Sequence, residues 1–183
     1  MSVQKKFGGE LTDEEFRKFT LYTTQSANFE DDNTRAQILG FTNDKVRIAP
    51  GAIVRINDNQ IGANSYVGFY SYINGDVSIG EHVLIGPHCS IVASNHVYSA
   101  QDDYFSDRSD LIRGKVVIEN GVWLASGVVV TPGVCIGRCC LICANTVVTK
   151  DVQPYAIIAG APAKIIGKIE KNTGKYIWFN KDK

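Results

Sequence analysis

The amino-acid sequence predicts an all-β solenoid built from six-residue units. Three observations lead to this prediction: an aliphatic residue recurs at every sixth position, Gly often follows it, and one aperiodic stretch interrupts the count. A period of six matches neither the 3.6-residue period of a helix nor the alternation of one long strand. It is typical of a solenoid whose unit is a short flat strand and a turn. At 183 residues the chain suffices for one domain with a substantial core.

The repeating units run in two series. Their first positions are Ile61, Val67, Ile73, Ile79, Ile85 and Ile91, and then Ile118, Leu124, Val130, Ile136, Ile142 and Val148. Two earlier units, from Ile48 and Val54, keep the count if one extra residue precedes Ile61. We expect the first-position side chain to point at the axis and a small or β-branched fifth-position residue to pack beside it. Gly at the second position is expected to relieve a backbone conformation that a side chain would strain.

The N-terminal segment is expected to cover one end of the stack, because unpaired strand edges invite further pairing. Residues 12–15 read as a capping box, with Leu11 and Phe16 placed as a hydrophobic staple, so a helix is predicted to begin there. A second short helix is predicted over residues 33–39, ending at Gly40.

At the other end, Tyr176, Trp178 and Phe179 are expected to close the last coil or to pack on a neighbouring molecule. The chain is accordingly divided into an N-terminal helical cap (1–45), the solenoid (46–169) with a projecting loop at 97–117, and a C-terminal tail (170–183).

Composition disfavours several classes of partner. Lys and Arg together equal Asp and Glu together, so the formal net charge is zero and there is no electrostatic argument for nucleic acid. No apolar run approaches the ~20 residues of a membrane span. The first residues lack the apolar region of a secretory signal, and we therefore expect a cytoplasmic protein.

The five cysteines are expected to be packing residues. Four of them lie in CIGRCCLIC, whose spacing fits no familiar zinc pattern. Cys89 and Cys140 fall in the small fifth position, and Cys143 falls where Gly often stands. No metal site is expected.

The residues also carry a family resemblance. The stretches IGEHVLIGPHCSIVASNH, IENGVWLASGVVVTPGVCIGRCCLICANTVVTKDV and AGAPAKIIGKI resemble the hexapeptide-repeat acyltransferases. Within that family they resemble the galactoside, maltose and xenobiotic acetyltransferases and the related enzymes that modify capsule and O-antigen polysaccharides. The match is close from about residue 61 to 170, looser over KYIWFNKDK, and poor over the first 45 residues.

The resemblance implies a left-handed parallel β-helix with three hexads per triangular coil, acetyl-CoA as co-substrate, and a homotrimer with active sites between subunits. With eighteen residues per coil, Ile118 should take the place above Ile79, and residues 97–117 should leave the coil directly after His96. The resemblance makes His96 the general base. An unspecialised corner histidine beside a neutral insertion is the alternative, because loops tolerate insertions. Val97 departs from the Pro that usually follows this histidine in the sugar acetyltransferases.

The same resemblance assigns a donor site. It places Trp123, Ala125 and Ser126 beside the pantetheine arm, with a backbone N–H near Ser126 stabilising the oxyanion. Along the cofactor channel it places Ala144, Thr149, Lys150 and Gly160, and it sets Lys164 against the nucleotide phosphates. Each lysine is alternatively a solvated surface charge.

The acceptor site is expected around Asn74 and Asp76, with Tyr72 or Tyr70 packing on a sugar ring and Asp76 lying under Ser94. The loop adds Asp102, Asp103, Tyr104, Asp107 and Asp110. An acidic and aromatic lining suits a neutral carbohydrate, although these residues can equally serve only to hold the loop. His82 and His88 stand at outward fourth positions and are expected to be ordinary surface residues.

We therefore expect O-acetylation of a saccharide hydroxyl, with a surface-polysaccharide or lipopolysaccharide precursor as one acceptor class. The alternative is N-acetylation of an amino sugar, nucleotide-linked or free, or of a xenobiotic. A γ-type carbonic anhydrase is set aside because the three histidines fall on successive faces and do not converge. A non-enzymatic solenoid stays open, since fold does not fix function.

Overall fold

The computed structural model describes residues 29–105 and 111–179. Their strands wind into a left-handed parallel β-solenoid with three faces, and five strands stack on the second face. The first face holds β1 (Arg47–Ile48), β3 (Tyr66–Val67), β6 (Leu84–Ile85), β13 (Trp123–Leu124), β16 (Leu141–Ile142) and β18 (Ala156–Ala159). The second holds β2 (Ile53–Arg55), β4 (Tyr72–Asn74), β7 (Ser90–Val92), β14 (Val129–Val130) and β17 (Val147–Val148). The third holds β5 (Val77–Ile79), β12 (Val116–Ile118) and β15 (Cys135–Ile136).

The hexad pattern is confirmed as the pattern of the core. Every first-position residue from Ile61 to Val148 is buried. The coils are numbered from the N-terminal end, so β1 and β2 belong to the first coil. Ile118 pairs with Ile79 as expected, and the 3₁₀ turn Asp58–Gln60 takes up the extra residue before Ile61. The fifth positions of these units other than Asn95 are buried as well, including Ser65, Cys89 and Cys140.

The predicted reason for Gly at the second hexad position is wrong. Gly68 has an ordinary backbone, but a Cβ there would lie 2.6 Å from the carbonyl carbon of Gly86 in the coil above. Close approach of two backbones therefore selects Gly. The left-handed backbone belongs instead to the fourth position, where His82 has φ 56° and Gly127 has φ 72°.

One helix, α1 (Phe29–Ile38), lies against β1 at the first coil. It begins four residues earlier than predicted and ends as predicted, with Gly40 at φ 95°. The N–H of Phe41 donates to Ala36 O and that of Gly40 to Gln37 O, which is the Schellman pattern. The predicted helix start at 12–15 lies outside the described residues. No helix in the ranges 29–105 and 111–179 has the length and apolarity needed to cross a membrane.

Buried polar contacts fasten α1 to the open edge of the solenoid. Arg35 is 2% exposed and donates to Asp32 Oδ1 at 2.6 Å and to Ile48 O at 2.7 Å. Asn33 donates to Val46 O at 2.8 Å. The side chains thus satisfy carbonyl groups of the first coil that have no coil beneath them.

The interruption is a β-hairpin arm, and its predicted limits are wrong. β8 (Ser94–His96) pairs antiparallel with β11 (Leu111–Arg113), and farther out β9 (Tyr98–Ser99) pairs with β10 (Tyr104–Phe105). The chain leaves the coil at Ser94, so the arm comprises residues 94–114 and not 97–117. Asn95, counted as a fifth-position residue, is exposed for this reason.

The last coil ends in a change of strand direction. β19 (Lys164–Ile169) runs antiparallel to β18, and β20 (Tyr176–Trp178) runs antiparallel to β19. Outward positions of the first face form one apolar ladder along the register, which includes Leu84, Trp123, Leu141, Ile157 and Trp178. Leu84 is 43% exposed, Trp123 45% and Trp178 38%.

Candidate functional site

His96 stands on the first strand of the arm. Its side chain is exposed, and its backbone lies opposite Leu111, while Ser94 lies opposite Arg113. Directly opposite residues of an antiparallel pair project to the same face, and this face alternates along each strand. His96 and Arg113 therefore project from one face of the arm. The third coil thus presents an imidazole and a guanidinium side by side at the corner between the second and third faces.

The outer part of the arm is held by its own polar and aromatic contacts. Ser99 donates to Asp102 Oδ2 at 2.7 Å, and the Tyr98 hydroxyl donates to Asp103 Oδ1. The Tyr98 and Phe105 rings meet edge to face with centroids 5.6 Å apart. The hydrogen bond to Asp103 raises the pKa of Tyr98. Two of the acidic residues expected to line an acceptor site are thereby engaged within the hairpin; Tyr104 is exposed, and Asp107 and Asp110 lie outside the described residues.

The predicted acceptor residues lie on and beside the second face. Tyr72 and Asn74 occupy outward positions of β4 and are half-buried. The expectation that Asp76 lies under Ser94 is wrong: the N–H of Val116 donates to Asp76 O, so the register places Lys115 above Asp76. The reason is the early departure of the arm. Asp76 Oδ1 accepts a hydrogen bond from Gln60 Nε2 at 3.3 Å.

Four of the eight predicted donor residues, Ala125, Ser126, Ala144 and Gly160, form a column at the corner between the first and second faces. The N–H of Asn145, beside Ala144, donates to Ser126 O at 2.9 Å, and that of Val147 donates to Gly160 O at 3.0 Å. The N–H groups of Ala125 and Gly127 are bonded to Ile142 O and Pro87 O. Within the part of the chain that the structure describes, the N–H of Ser126 between them has no such partner. The N–H of Ala144, in the coil above, likewise has no such partner among residues 29–105 and 111–179. This corner therefore has unpaired backbone N–H groups available to a ligand.

The remaining donor candidates lie elsewhere. Trp123 projects from the first face between Leu84 and Leu141. Thr149 and Lys150 are exposed at the corner between the second and third faces, two coils above the arm. Lys164 is exposed at the start of β19, opposite Ala159.

Within one chain, the predicted residues do not converge on one pocket. Pro87 accepts the N–H of Gly127 at the donor corner, and Ala93 marks the root of the arm. Residues 87–93 cross the second face between them, roughly 20 Å of extended chain. The donor corner and the His96 face of the arm thus flank the second face from opposite sides.

Sequence reasoning treated His88 as an ordinary surface residue and missed its partner. The His88 ring stacks on Tyr70 with centroids 5.5 Å apart and an interplanar angle of 15°. Both residues stand at fourth positions of the donor corner with positive φ. The eighteen-residue separation of two aromatic rings was the signal in the sequence. The position of Arg113 on the same face of the arm as His96, and that of Lys115 above Asp76, were also missed, because both depend on the pairing within the arm.

A groove of about 380 Å³ lies on the third face, lined by Ser78, Gly80, Val117, Ile118, Glu119, Asn120 and Arg138. It contains none of the predicted site residues. Within this groove the backbone N–H of Arg138 donates to Glu119 Oε2 at 2.7 Å. The carboxylate of Glu119 therefore already has a hydrogen-bond partner.

The cysteines are poorly suited to nucleophilic chemistry. Burial raises the pKa of Cys89, and it raises the pKa of Cys140 to about 11. Their sulfur atoms lie 3.2 Å from Ala125 O and 3.0 Å from Gln153 O. Over residues 29–105 and 111–179, no cluster of three or more His, Cys, Asp or Glu side chains is arranged to hold a metal ion.

Comparison with known proteins gives a family match. Residues 60–93 and 115–150 match the family described as bacterial transferase hexapeptide (six repeats). The gap between the two matched segments contains the arm. The matched segments contain the coils on both sides of it.

Three similar proteins are informative. Galactoside O-acetyltransferase of Escherichia coli K12 is 34% identical over 63% of this chain and 57% of its own. Chloramphenicol acetyltransferase of Klebsiella aerogenes is 33% identical over 57% of this chain and 68% of its own. A hexapeptide-repeat acetyltransferase of Vibrio cholerae, solved with acetyl coenzyme A, is 26% identical with a TM-score of 0.60, covering 93% of this chain and 100% of that one. The chain spans about half the length of the first curated relatives that it matches.

Proposed function

Because this chain belongs to the bacterial transferase hexapeptide family, we propose that it is an acetyl-CoA-dependent O-acetyltransferase that acts on a hydroxyl group of a saccharide. The names of its relatives, galactoside O-acetyltransferase and an acetyltransferase bound to acetyl coenzyme A, support the donor and the acceptor class. The observation that carries the proposal is the position of His96 on an arm that leaves the solenoid one coil below Ser126.

In the proposed reaction His96 acts as the general base. Its imidazole takes the proton of the acceptor hydroxyl while that oxygen attacks the carbonyl carbon of the acetyl thioester. The carbon–sulfur bond then breaks, and CoA leaves as the thiolate. The proton taken from the hydroxyl stays on the imidazolium of His96. The acetyl group ends on the acceptor oxygen, and no acetyl-enzyme is formed, since holding the two substrates together supplies the main advantage.

The donor binds at the corner formed by Ala125, Ser126, Ala144 and Gly160. The N–H of Ser126 has no partner among residues 29–105 and 111–179, and in this proposal it stabilises the tetrahedral oxyanion. Trp123 packs against the pantetheine arm, and Lys164 contacts the nucleotide phosphates as a point charge. Thr149 and Lys150 line the channel from the neighbouring corner.

We place the acceptor between the arm and the second face, against Tyr72, Asn74 and Asp76. Asn74 and Asp76 offer hydrogen-bonding groups to sugar hydroxyls, and Tyr72 offers an aromatic face. A precursor of a surface polysaccharide or lipopolysaccharide is the proposed biological acceptor. The reaction is assigned to the cytoplasm, where acetyl-CoA is available and the free thiols stay reduced.

The proposed active unit is a homotrimer. Roughly 20 Å of chain separates the donor corner from the root of the arm, yet reacting atoms must come within about 3.5 Å of one another. One chain therefore supplies His96 and a second supplies the donor corner. The exposed end of the apolar ladder of the first face, Leu84 and Trp123, gives the copies a surface on which to pack.

The test is acetyl-CoA turnover followed by release of free thiol across a panel of saccharides and amino sugars. Replacement His96→Ala should lower kcat by about 100-fold or more with little change in the KM for acetyl-CoA. His82→Ala, an exposed histidine on another corner, is the matched control and should retain turnover. Equal activity of wild type and His96→Ala would disprove the mechanism. Transfer to amino sugars alone would favour the second candidate, N-acetylation.

A further inference from the structure

We infer that the saccharide acceptor carries a negative charge and that Arg113 recognises it. This inference rests on the proposed function and names the substrate class of the same site. It reverses the expectation of a neutral carbohydrate drawn from the acidic residues of the arm.

The first step is the geometry of the arm. The pairs Ser94–Arg113 and His96–Leu111 are consecutive rungs on one face of a two-stranded ladder. Diagonal neighbours on such a face have Cβ atoms roughly 7–8 Å apart. A guanidinium on its flexible stem spans that distance, so a group bound by Arg113 lies within one sugar ring of the imidazole of His96.

The second step concerns what Arg113 already binds. Its side chain is exposed, and it forms no hydrogen bond or ion pair within residues 29–105 and 111–179. Asp102 and Asp103 accept from Ser99 and Tyr98 within the outer hairpin. These carboxylates therefore hold the arm and do not neutralise the guanidinium.

The third step is the charge of the surrounding surface. Lys115 is exposed directly above Asp76 in the register. Arg55 is exposed on β2 and pairs with Asn74. It therefore lies one coil below Asn74, on the same outward face of the solenoid. Against these cations stands Asp76, which accepts from Gln60. The described side chains around the acceptor position thus present more positive than negative charge.

This arrangement fits an anionic sugar. A guanidinium binds a carboxylate or a phosphate through paired, charge-assisted hydrogen bonds, whereas a neutral hydroxyl gives it only ordinary ones. A uronic acid and a sugar phosphate share the required charge, and both place it about one ring away from a free hydroxyl. The inferred acceptor is therefore an acidic or phosphorylated saccharide.

Matched acceptor pairs test the inference: methyl galactoside against galacturonate, and N-acetylglucosamine against its 1-phosphate. We expect the wild type to prefer the charged member of at least one pair by about tenfold or more in kcat/KM. Arg113→Gln should raise the KM for that acceptor about 10- to 100-fold and change the neutral member less than about twofold, since one charged contact is lost. Arg113→Lys should restore part of the loss. Arg138→Gln, an exposed arginine near the third face, should have no effect.

The outcomes separate the two proposals. Preference for the neutral members, or charged acceptors unaffected by Arg113→Gln, overturns the inference while acetyl transfer stands. A raised KM for acetyl-CoA instead would assign Arg113 to the donor and would also overturn it. If no sugar turns over, the proposed function fails, and calorimetric binding of the same four sugars decides the inference: weaker or equal binding of the charged members rejects it.

Discussion

Leu111 lies directly opposite His96 at the base of the arm, so the arm is closed by its own backbone. Three residues closer to the coil, the N–H of Gly114 donates to Ala93 O at 3.0 Å. The coil continues from Ala93 to Lys115 above the adjacent pair Gly75–Asp76. The arm is therefore an insertion at one corner of a coil that is complete without it.

Removing residues 94–114, with Ala93→Gly at the junction, should leave the solenoid folded. The new corner copies Gly75–Asp76 in the coil below. The strands of the deleted hairpin pair with each other, and Gly114 links the arm to the coils through Ala93 and Gly133. We expect the melting temperature followed by circular dichroism to change by less than about 5 °C, because surface insertions contribute little to stability. Acetyl transfer should be lost in the same protein. A variant that fails to fold would show that the arm is part of the core.

Gly68→Ala should destabilise the fold by about 1–3 kcal/mol, because a Cβ there collides with backbone atoms that cannot turn aside. The nearest are the carbonyl carbon of Gly86 at 2.6 Å and the nitrogen of Pro87 at 2.7 Å. Urea unfolding provides the measurement. The matched variant Gly133→Asn occupies a left-handed position with no atom within 4 Å of the added Cβ, and it should stay close to wild type.

Arg35→Met should be among the most destabilising single changes, at about 3–5 kcal/mol, since it strands a buried carboxylate. Asp32 is 3% exposed, and burial raises its pKa although the Arg35 guanidinium opposes the shift. Without Arg35 the pKa of Asp32 should rise further. A raised pKa contributes stability below its unfolded value and loses it as pH rises through the folded value. The deficit should therefore be larger at pH 7 than at pH 4, and Asp32→Leu in the same chain should recover much of it.

Cys140 should make the protein less stable in alkali. Burial raises its pKa from about 9 to about 11, so the folded state holds the proton that the unfolded state releases. The free energy of unfolding should fall between pH 9 and pH 11, with up to about 2 kcal/mol of the loss due to this thiol. The comparison is wild type against Cys140→Ala by urea unfolding at each pH. A stability difference that stays constant across that range would contradict the prediction.

Leu84→Glu should disrupt the proposed trimer. Leu84 is 43% exposed at the N-terminal end of the apolar ladder of the first face, beside Trp123. A charge at the centre of a buried contact is costly to desolvate. Sedimentation should show about 60 kDa for the wild type, three times 20.1 kDa, and the monomer mass for the variant. Val117→Glu on the third face is the control. Dissociation by the control alone would move the interface to that face.

The repeat itself could be predicted because it is local. Each aliphatic at a first position is buried by residues one coil above and below, and the eighteen-residue count finds both. The same count also sets the fourth-position aromatics Tyr70 and His88 one above the other.

The limits of the arm could not be found in this way. In the sequence, Ser94 and Asn95 continue the polar and small pattern of a coil. Only their pairing with Arg113 and Ile112 shows that they belong to the arm and not to the coil. That pairing joins residues across an aperiodic segment. Two positions follow from it: Lys115 rather than Ser94 lies above Asp76, and Arg113 lies on the same face of the arm as His96. The role of Gly68 was misjudged for a related reason, because backbone contact between coils has no signature in a single hexad.

The two ends of the solenoid differ from its middle in one respect that matters for solubility. Every internal coil is a template for another parallel strand, so a bare stack could add copies end to end and grow into a fibre. At the first coil the buried guanidinium of Arg35 takes up Ile48 O, and at the last coil β19 reverses the strand direction. Both ends of the stack are therefore covered against pairing with a strand of another molecule. Loss of α1 would convert a discrete particle into a nucleus for linear aggregation.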